Sequence, residues 1–138
     1  ANIRSVPKVF EREGLYRHEL IRKRGPYAIY RYCYMKTDRP EPRWRYEAVI
    51  IRIKEPHPNS ADRRLMEALP SNSDFGYFAW SLNTLVSAQK QIASEKAKRG
   101  KTIEYNYYSK LKSGMENSRN TLGESLEATP TPSKALQL

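Results

Sequence analysis

Residues 27–36 read YAIYRYCYMK and residues 44–56 read WRYEAVIIRIKEP, the two strongest strand patterns in the chain. Tyrosine, tryptophan, valine and isoleucine favour β-strands. The segment between them, TDRPEPR (37–43), contains two prolines and an aspartate and is typical of a loop. LYRHELIRKR (15–24) precedes both, and the Gly-Pro pair at 25–26 indicates a turn. Three neighbouring strands with short connections predict an antiparallel meander.

The C-terminal half predicts a helix. ADRRLMEAL (61–69) is compatible with one or two helical turns, and GYFAWSL (76–82) with a short strand. Asn83 is of a residue type that is preferred at helix N-caps. A narrow apolar stripe with helical spacing follows it as far as Gly100, a residue type that is common just after a helix end. We therefore expect one main helix that packs on the sheet by one face.

Together these patterns predict an α+β fold, with a three- to four-stranded antiparallel sheet, one main helix on one face and a flexible C-terminal tail. Residues 1–14 are expected to form an N-terminal arm and residues 15–100 the α+β domain. Residues 101–115 could form a second, short helix. Residues 116–138 are rich in Ser, Thr, Asn, Pro and Glu, which predicts a disordered tail.

The charge is strongly positive and unevenly distributed. The 138 residues contain 25 Lys and Arg against 15 Asp and Glu, a formal net charge of +10. Residues 1–54 hold 14 of the basic residues and only six of the acidic ones. A basic half of a domain favours nucleic acid or an acidic protein as the partner.

The two strong strands suggest an aromatic surface. Side chains alternate between the faces of a strand, so each of the two strands offers an aliphatic and an aromatic face. If the aliphatic faces meet under the helix, the other side exposes tyrosine and tryptophan within a basic rim, as base stacking and phosphate neutralisation require. The aromatic residues are Tyr30, Tyr32, Tyr34, Trp44 and Tyr46, and the rim is Lys36, Arg52 and Lys54. The alternative is a cross-strand ladder that only stabilises the sheet.

Two further basic clusters could extend this surface. Arg22, Lys23 and Arg24 precede the predicted turn, where they could contact phosphates or be simply solvated. Arg43 and Arg45, with Arg39, surround the second loop, and Arg63 and Arg64 lie further along the chain.

Catalytic and metal motifs are not recognisable in the sequence. His18 and His57 stand apart from any nucleophile or orienting partner, and two histidines and one cysteine have no usual zinc spacing. The carboxylates show no paired-acid pattern, and no phosphate-binding glycine motif occurs. Cys33 is predicted to be a small buried hydrophobic residue. We expect no enzyme, no cofactor and no metal, although a site assembled from distant residues would escape this reasoning.

Localisation is expected to be cytoplasmic. A single cysteine excludes an internal disulfide, which fits a reducing compartment. No stretch approaches the ~20 apolar residues that span a bilayer, and the first ten residues lack the apolar region of a secretory signal. We therefore expect no membrane partner.

Two segments carry a resemblance. YEAVIIRIKEP (46–56) and LPSNSDFGYFAWSLNTL (69–85) resemble small phage- and plasmid-encoded α+β domains of no assigned function. Those domains combine a "YEVV-I" strand with a "PS-x-x-x-FG-x-x-AWS" segment and a helix. The resemblance covers about residues 20–98, although Leu69 stands where an aromatic residue is usual. It implies an α+β fold and a mobile-element origin, and it brings no catalytic residues.

The first functional hypothesis is a nucleic-acid-binding accessory protein of a phage or mobile element, favouring single-stranded DNA or RNA. The alternative is a protein-interaction module that binds and modulates an acidic host protein through the same basic and aromatic surface. A virion structural protein is a third class. The sequence is also compatible with a homo-oligomer.

Overall fold

The computed structural model describes residues 3–126, with side chains described as far as Gly114. Within that range the chain forms eight strands, a 3-10 turn and one long helix. The strands are β1 (Ile3–Arg4), β2 (Val9–Arg12), β3 (Tyr16–Arg24), β4 (Tyr27–Tyr34), β5 (Arg45–Ile50), β6 (Arg52–Lys54), β7 (Leu65–Ala68) and β8 (Ala79–Leu82). The 3-10 turn is Asn72–Asp74 and the helix α1 is Leu85–Leu126. The predicted α+β class with one main helix is confirmed.

Five strands form an antiparallel sheet in the order β2-β3-β4-β5-β8. Its centre is the predicted meander β3-β4-β5. Gly25, with φ of 57°, supplies the positive φ that the first position of a tight β3–β4 hairpin turn requires, and Pro26 follows it. The expected turn at residues 25–26 is therefore present.

A second sheet contains β1, β7 and β6. The chain passes from the first sheet to the second between β5 and β6, with only Ile51 between the two strands. β6 and β7 are antiparallel, whereas β1 joins β7 in parallel. The expectation of one sheet of three or four strands is thus wrong, because one continuous stretch of sequence supplies strands to both sheets.

Both faces of β4 and β5 are covered. On one face, Ile29 and Ala48 pack with Ala88 of α1, and Ile50 packs with Ile103 further along the helix. On the other face, residues of β4 and β5 form the largest core cluster with the second sheet and with Tyr107. The members of that cluster are Val6, Ala28, Tyr30, Val49, Ile51, Ile53, Ala79 and Tyr107. A strand that is buried on both sides needs the unbroken apolar run seen in residues 48–51.

Helix α1 begins at Leu85 and bends near its first third. Thr84 caps it: the Ser87 N–H donates to Thr84 Oγ1 at 3.1 Å, so the cap lies one residue after the predicted Asn83. At Arg99 the backbone leaves helical geometry, with φ −141° and ψ 21°. This break separates two helical segments next to Gly100, where we expected the first helix to end, and the second segment continues to Leu126.

Three further expectations meet a different structure. Residues 3–12 of the predicted arm form β1 and β2. Leu65–Ala68 is a strand between two others and not a helical turn. Residues 116–126 of the predicted tail belong to the second helical segment of α1, which also includes residues 101–115, where we expected a possible short helix. Residues 127–138 of that tail lie outside the described residues. No helix among the described residues is long and apolar enough to cross a membrane.

Candidate ligand-binding cleft

The predicted aromatic surface is divided between two faces. The register sets Tyr30 opposite Glu47 and Tyr32 opposite Arg45, while Arg31 lies opposite Tyr46. Opposed residues share a face, so Tyr46 lies on the helix side of the sheet and Tyr32 on the other. The expectation that the three tyrosines share an open face with Trp44 and Tyr46 is therefore wrong.

Two of these aromatic residues have structural roles. Tyr30 is completely buried, and its hydroxyl donates to the Pro7 carbonyl oxygen at 2.6 Å. The Arg31 guanidinium lies over the Trp44 ring, 3.9 Å from its centroid, and pairs with Glu19 at 2.6 Å. Tyr30 is thus unavailable for stacking, and one face of Trp44 is already covered by a cation.

The predicted basic residues are dispersed. Arg22, Lys23 and Arg24 lie at the turn end of β3, and Lys23 Nζ is 2.8 Å from Glu67 Oε2. Arg52 is paired with Asp74 at 2.7 Å and lies over the Phe78 ring. Lys36 and Arg43 are exposed in the β4–β5 loop, at the opposite end of β4 from the turn, and Arg45 is exposed at the start of β5. These residues do not form one continuous patch.

A cleft opens on the face of the five-stranded sheet that carries Tyr32. Its volume is about 360 Å³, within the range of small-molecule sites. All five strands of the sheet and the 3-10 region contribute its lining: Arg12, Glu13, Tyr16, His18, Tyr32, Arg45, Glu47, Asn72, Phe75 and Ser81. Tyr32 and Arg45 are the two residues predicted from the sequence that it brings together.

Cross-strand rows build this cleft. The register places Phe10, His18, Tyr32 and Arg45 in one row across β2, β3, β4 and β5. The next row towards the loop end contains Arg12, Tyr16 and Tyr34. A deeper row sets Glu47 opposite Ser81, and the hydroxyl groups of Tyr32 and Ser81 are hydrogen-bonded to each other. Residues from separate strands thus meet because they are level with one another in the sheet.

Aromatic rings form one wall of the cleft. The His18 imidazole is stacked between Phe10, at 4.5 Å, and Tyr32, at 5.1 Å, with both rings tilted by only 14°. Tyr16 contacts Tyr32 at 6.1 Å and Tyr34 at 5.5 Å between ring centroids. Tyr34 is 44% exposed at the loop end of this wall. The stacked rings of Phe10, His18 and Tyr32 therefore form the packed part of the wall, and Tyr34 forms its exposed end.

Polar groups form the floor. Glu47 Oε2 lies 3.7 Å from His18 Nε2 and 3.6 Å from Arg12 Nη1. The side chains of His18 and Glu47 are only 2% and 5% exposed. Neither imidazole nitrogen has a hydrogen-bond partner among the described residues. In the sequence His18 is isolated, because its neighbours in the cleft come from other strands. The only local signal was that His18 lies two residues from Tyr16, which places both side chains on the same face of β3.

A second cavity, of about 310 Å³, lies between α1 and the segment around Tyr77. Arg52 and Arg99 line it, over Phe78 at 4.0 Å and over Tyr77 at 4.1 Å. Each arginine is also paired with a carboxylate. Both arginines of this cavity are thus ion-paired, and Lys110 also contributes to its lining.

Cys33 is a buried free cysteine outside the lining of the cleft. Burial raises the pKa of the Cys33 thiol, which favours the unreactive protonated form. In residues 3–114 no group of three or more His, Cys, Asp and Glu side chains could hold a metal ion.

No protein-family model, curated protein or solved structure matches the chain.

Proposed function

We propose that the protein binds single-stranded nucleic acid in the cleft as a non-catalytic accessory protein. The observation that carries this proposal is the convergence of Tyr16 and Tyr32 with Arg12 and Arg45 around one cleft. The exposed Tyr34 lies beside Tyr16 at the loop end of that cleft. Aromatic faces beside cations are the combination that stacks bases and neutralises phosphates. A cytoplasmic location and a mobile-element origin belong to the same proposal.

A single strand suits the cleft better than a duplex. The tyrosine wall lies inside a concave site, and the bases of a duplex are already stacked on each other. An unpaired base, in contrast, can enter the cleft while its backbone stays outside. The exposed cations Lys36, Arg39 and Arg43 lie in the loop between Tyr34 and Arg45, where they can follow such a backbone.

Fluorescence anisotropy with a labelled oligothymidine of about 12 nucleotides tests the proposal. Tyr34→Ala should weaken binding about 5- to 150-fold, because one stacked base contributes about 1–3 kcal/mol. It should leave the salt dependence unchanged. Arg45→Gln should weaken binding and reduce the slope of log K against log salt by about 0.7.

Two matched variants serve as controls. Tyr105 is 72% exposed on α1 and outside the cleft, so Tyr105→Ala should bind as the wild type does. Arg24 is an exposed arginine at the turn end of β3, about 23 Å along β4 from Tyr34. If Arg24→Gln loses as much affinity as Arg45→Gln, binding is a property of overall charge and the cleft is not the site. No binding at low salt would reject the proposal.

The alternative, a module that binds an acidic host protein, has one observation in its favour. Val86, Tyr105 and Tyr108 are exposed apolar or aromatic residues on α1, outside the cleft. Exposed tyrosines beside cations are frequent in protein interfaces. A stoichiometric protein partner that survives nuclease treatment and is lost in Tyr105→Ala would favour this function.

A further inference from the structure

His18 is a buried histidine whose two imidazole nitrogens have no hydrogen-bond partner in the part of the chain that the structure describes. Its imidazole is held between Phe10 and Tyr32, so its two nitrogens can point only within the plane of those stacked rings. A buried polar group without a partner is destabilising, so a partner that enters from the cleft would explain this residue.

Glu47 provides the complementary group. Its Oε2 is 3.7 Å from His18 Nε2 and 3.6 Å from Arg12 Nη1, and both distances exceed the usual limit of about 3.2 Å for a hydrogen bond. A carboxylate, an imidazole and a guanidinium therefore meet at the floor without binding one another closely. An ionised carboxylate only accepts hydrogen bonds, and a guanidinium only donates them.

We propose that this floor recognises guanine, an inference that rests on the proposed nucleic-acid binding and names its preferred base. Guanine presents two adjacent donors, N1–H and N2–H, beside the acceptor O6. Two donors side by side match the two oxygens of Glu47, and O6 matches the donors of Arg12. His18 has one donor and one acceptor in its neutral form, so it can complete either side of this pattern.

The other bases fit this floor less well. Adenine and cytosine each present an amino donor beside a ring-nitrogen acceptor, which would face a carboxylate oxygen. Thymine and uracil present one N–H between two carbonyl oxygens, which would face the carboxylate on both sides. An acceptor set against a buried carboxylate loses the bond and leaves a repulsive contact. Discrimination therefore follows from the acceptor-only character of Glu47.

Anisotropy titrations of the unmodified protein give the decisive test. Four labelled oligothymidines of about 12 nucleotides are compared, carrying at the central position thymine, adenine, guanine or hypoxanthine. The guanine strand should bind about tenfold tighter than the thymine strand, as one bidentate base contact allows. The hypoxanthine strand, which lacks the N2 amino group, should lose most of that advantage.

Glu47→Gln tests the role of the carboxylate, with circular dichroism to show that the variant is folded. An amide replaces one acceptor by a donor, so the guanine strand should lose its advantage over the thymine strand. The thymine strand itself should bind somewhat more tightly, because its carbonyl oxygens would no longer face a carboxylate. Arg12→Gln is a second variant, at a side chain that is 23% exposed and so less buried than Glu47, and it should reduce the guanine preference too.

The outcomes separate the two proposals. Equal affinity for all four strands would overturn guanine recognition and leave single-strand binding intact. Equal affinity for guanine and hypoxanthine would also overturn it, since the second donor to Glu47 would then be irrelevant. No measurable binding of any strand would overturn the proposed function itself.

Discussion

At the scale of single residues, Glu67 shows how a buried charge is accommodated. Its carboxylate accepts a hydrogen bond from the Val6 N–H at 3.1 Å and another from the Tyr107 hydroxyl, and Lys23 Nζ lies 2.8 Å away. These partners come from a linker, the helix and the β3–β4 hairpin. Lys23, for which phosphate contact and simple solvation were both open, is therefore held by a structural carboxylate.

We expect Glu67→Gln to lower the free energy of unfolding by about 2–3 kcal/mol. The substitution sets an amide against Lys23 and removes the negative charge that holds it, and breaking a buried pair from one side is strongly destabilising. Urea denaturation with an unchanged m-value measures the effect. Asp62→Asn is the matched control, because Asp62 pairs with Arg64 on an exposed surface, and it should change stability little. Equal losses in both variants would contradict the structural role of Glu67.

At the scale of elements, local pattern predicted the meander and the start of the helix, and it failed where pairing decides the structure. LMEA (65–68) has the composition of a helix, yet it forms a strand because β1 and β6 flank it on both sides. The first helical segment breaks at Arg99, beside the predicted end at Gly100, and Tyr107 and Leu111 of the second segment pack in the core. Strand pairing thus overrode the local signal at residues 65–68, whereas the signal at Gly100 coincides with a break in the helix.

The β3–β4 turn offers a test at this scale. A Cβ on Gly25 would come within 2.5 Å of Tyr108 Oη, and its φ of +57° is unfavourable for any other residue. Gly25→Ala should therefore cost about 2–3 kcal/mol of stability, from backbone strain and from the displaced helix side chain. Thermal or urea unfolding measures it.

Gly14→Ala separates the two causes. Gly14 has a similar φ of +68° and nothing within 4 Å of an added Cβ, so it should show the backbone strain alone. Adding Tyr108→Phe to Gly25→Ala should recover part of the loss, because it removes the Oη contact. An identical loss of unfolding free energy at the two glycines would mean that the contact between Tyr108 and the turn does not contribute to the effect at Gly25.

At the scale of the whole molecule, two sheets and one helix enclose several tyrosines as neutral phenols. Burial raises the pKa of Tyr27, Tyr30 and Tyr107 well above the ordinary value of 10.0. Hydrogen bonds to Glu104 and Glu67 raise it further for Tyr27 and Tyr107. Each of the three lies at a junction between the sheets and the helix, or between a strand and the N-terminal segment.

This burial predicts a steep loss of stability in alkali. Above pH 10 the unfolded chain releases these three protons and the folded chain retains them, so the free energy of unfolding falls as the pH rises. Each tyrosine contributes a slope of about 1.4 kcal/mol per pH unit. Tyrosinate absorbance should show three of the ten tyrosines ionising only together with unfolding. Their ionisation before any change in circular dichroism would contradict the enclosed core.

The sequence alone determined the fold class, the meander, the turn at residues 25–26 and the helix start to within one residue, because these depend on local preferences and on alternation along one strand. It also determined which side chains of a single strand share a face. Only the tertiary structure decided which face of β4 joins which face of β5, since that depends on register, and a shift of one residue exchanges the faces. Tyr30 was therefore buried, Trp44 and Tyr46 were placed across the sheet from Tyr32, and His18, Glu47 and Arg12 met in a cleft that no local pattern contains.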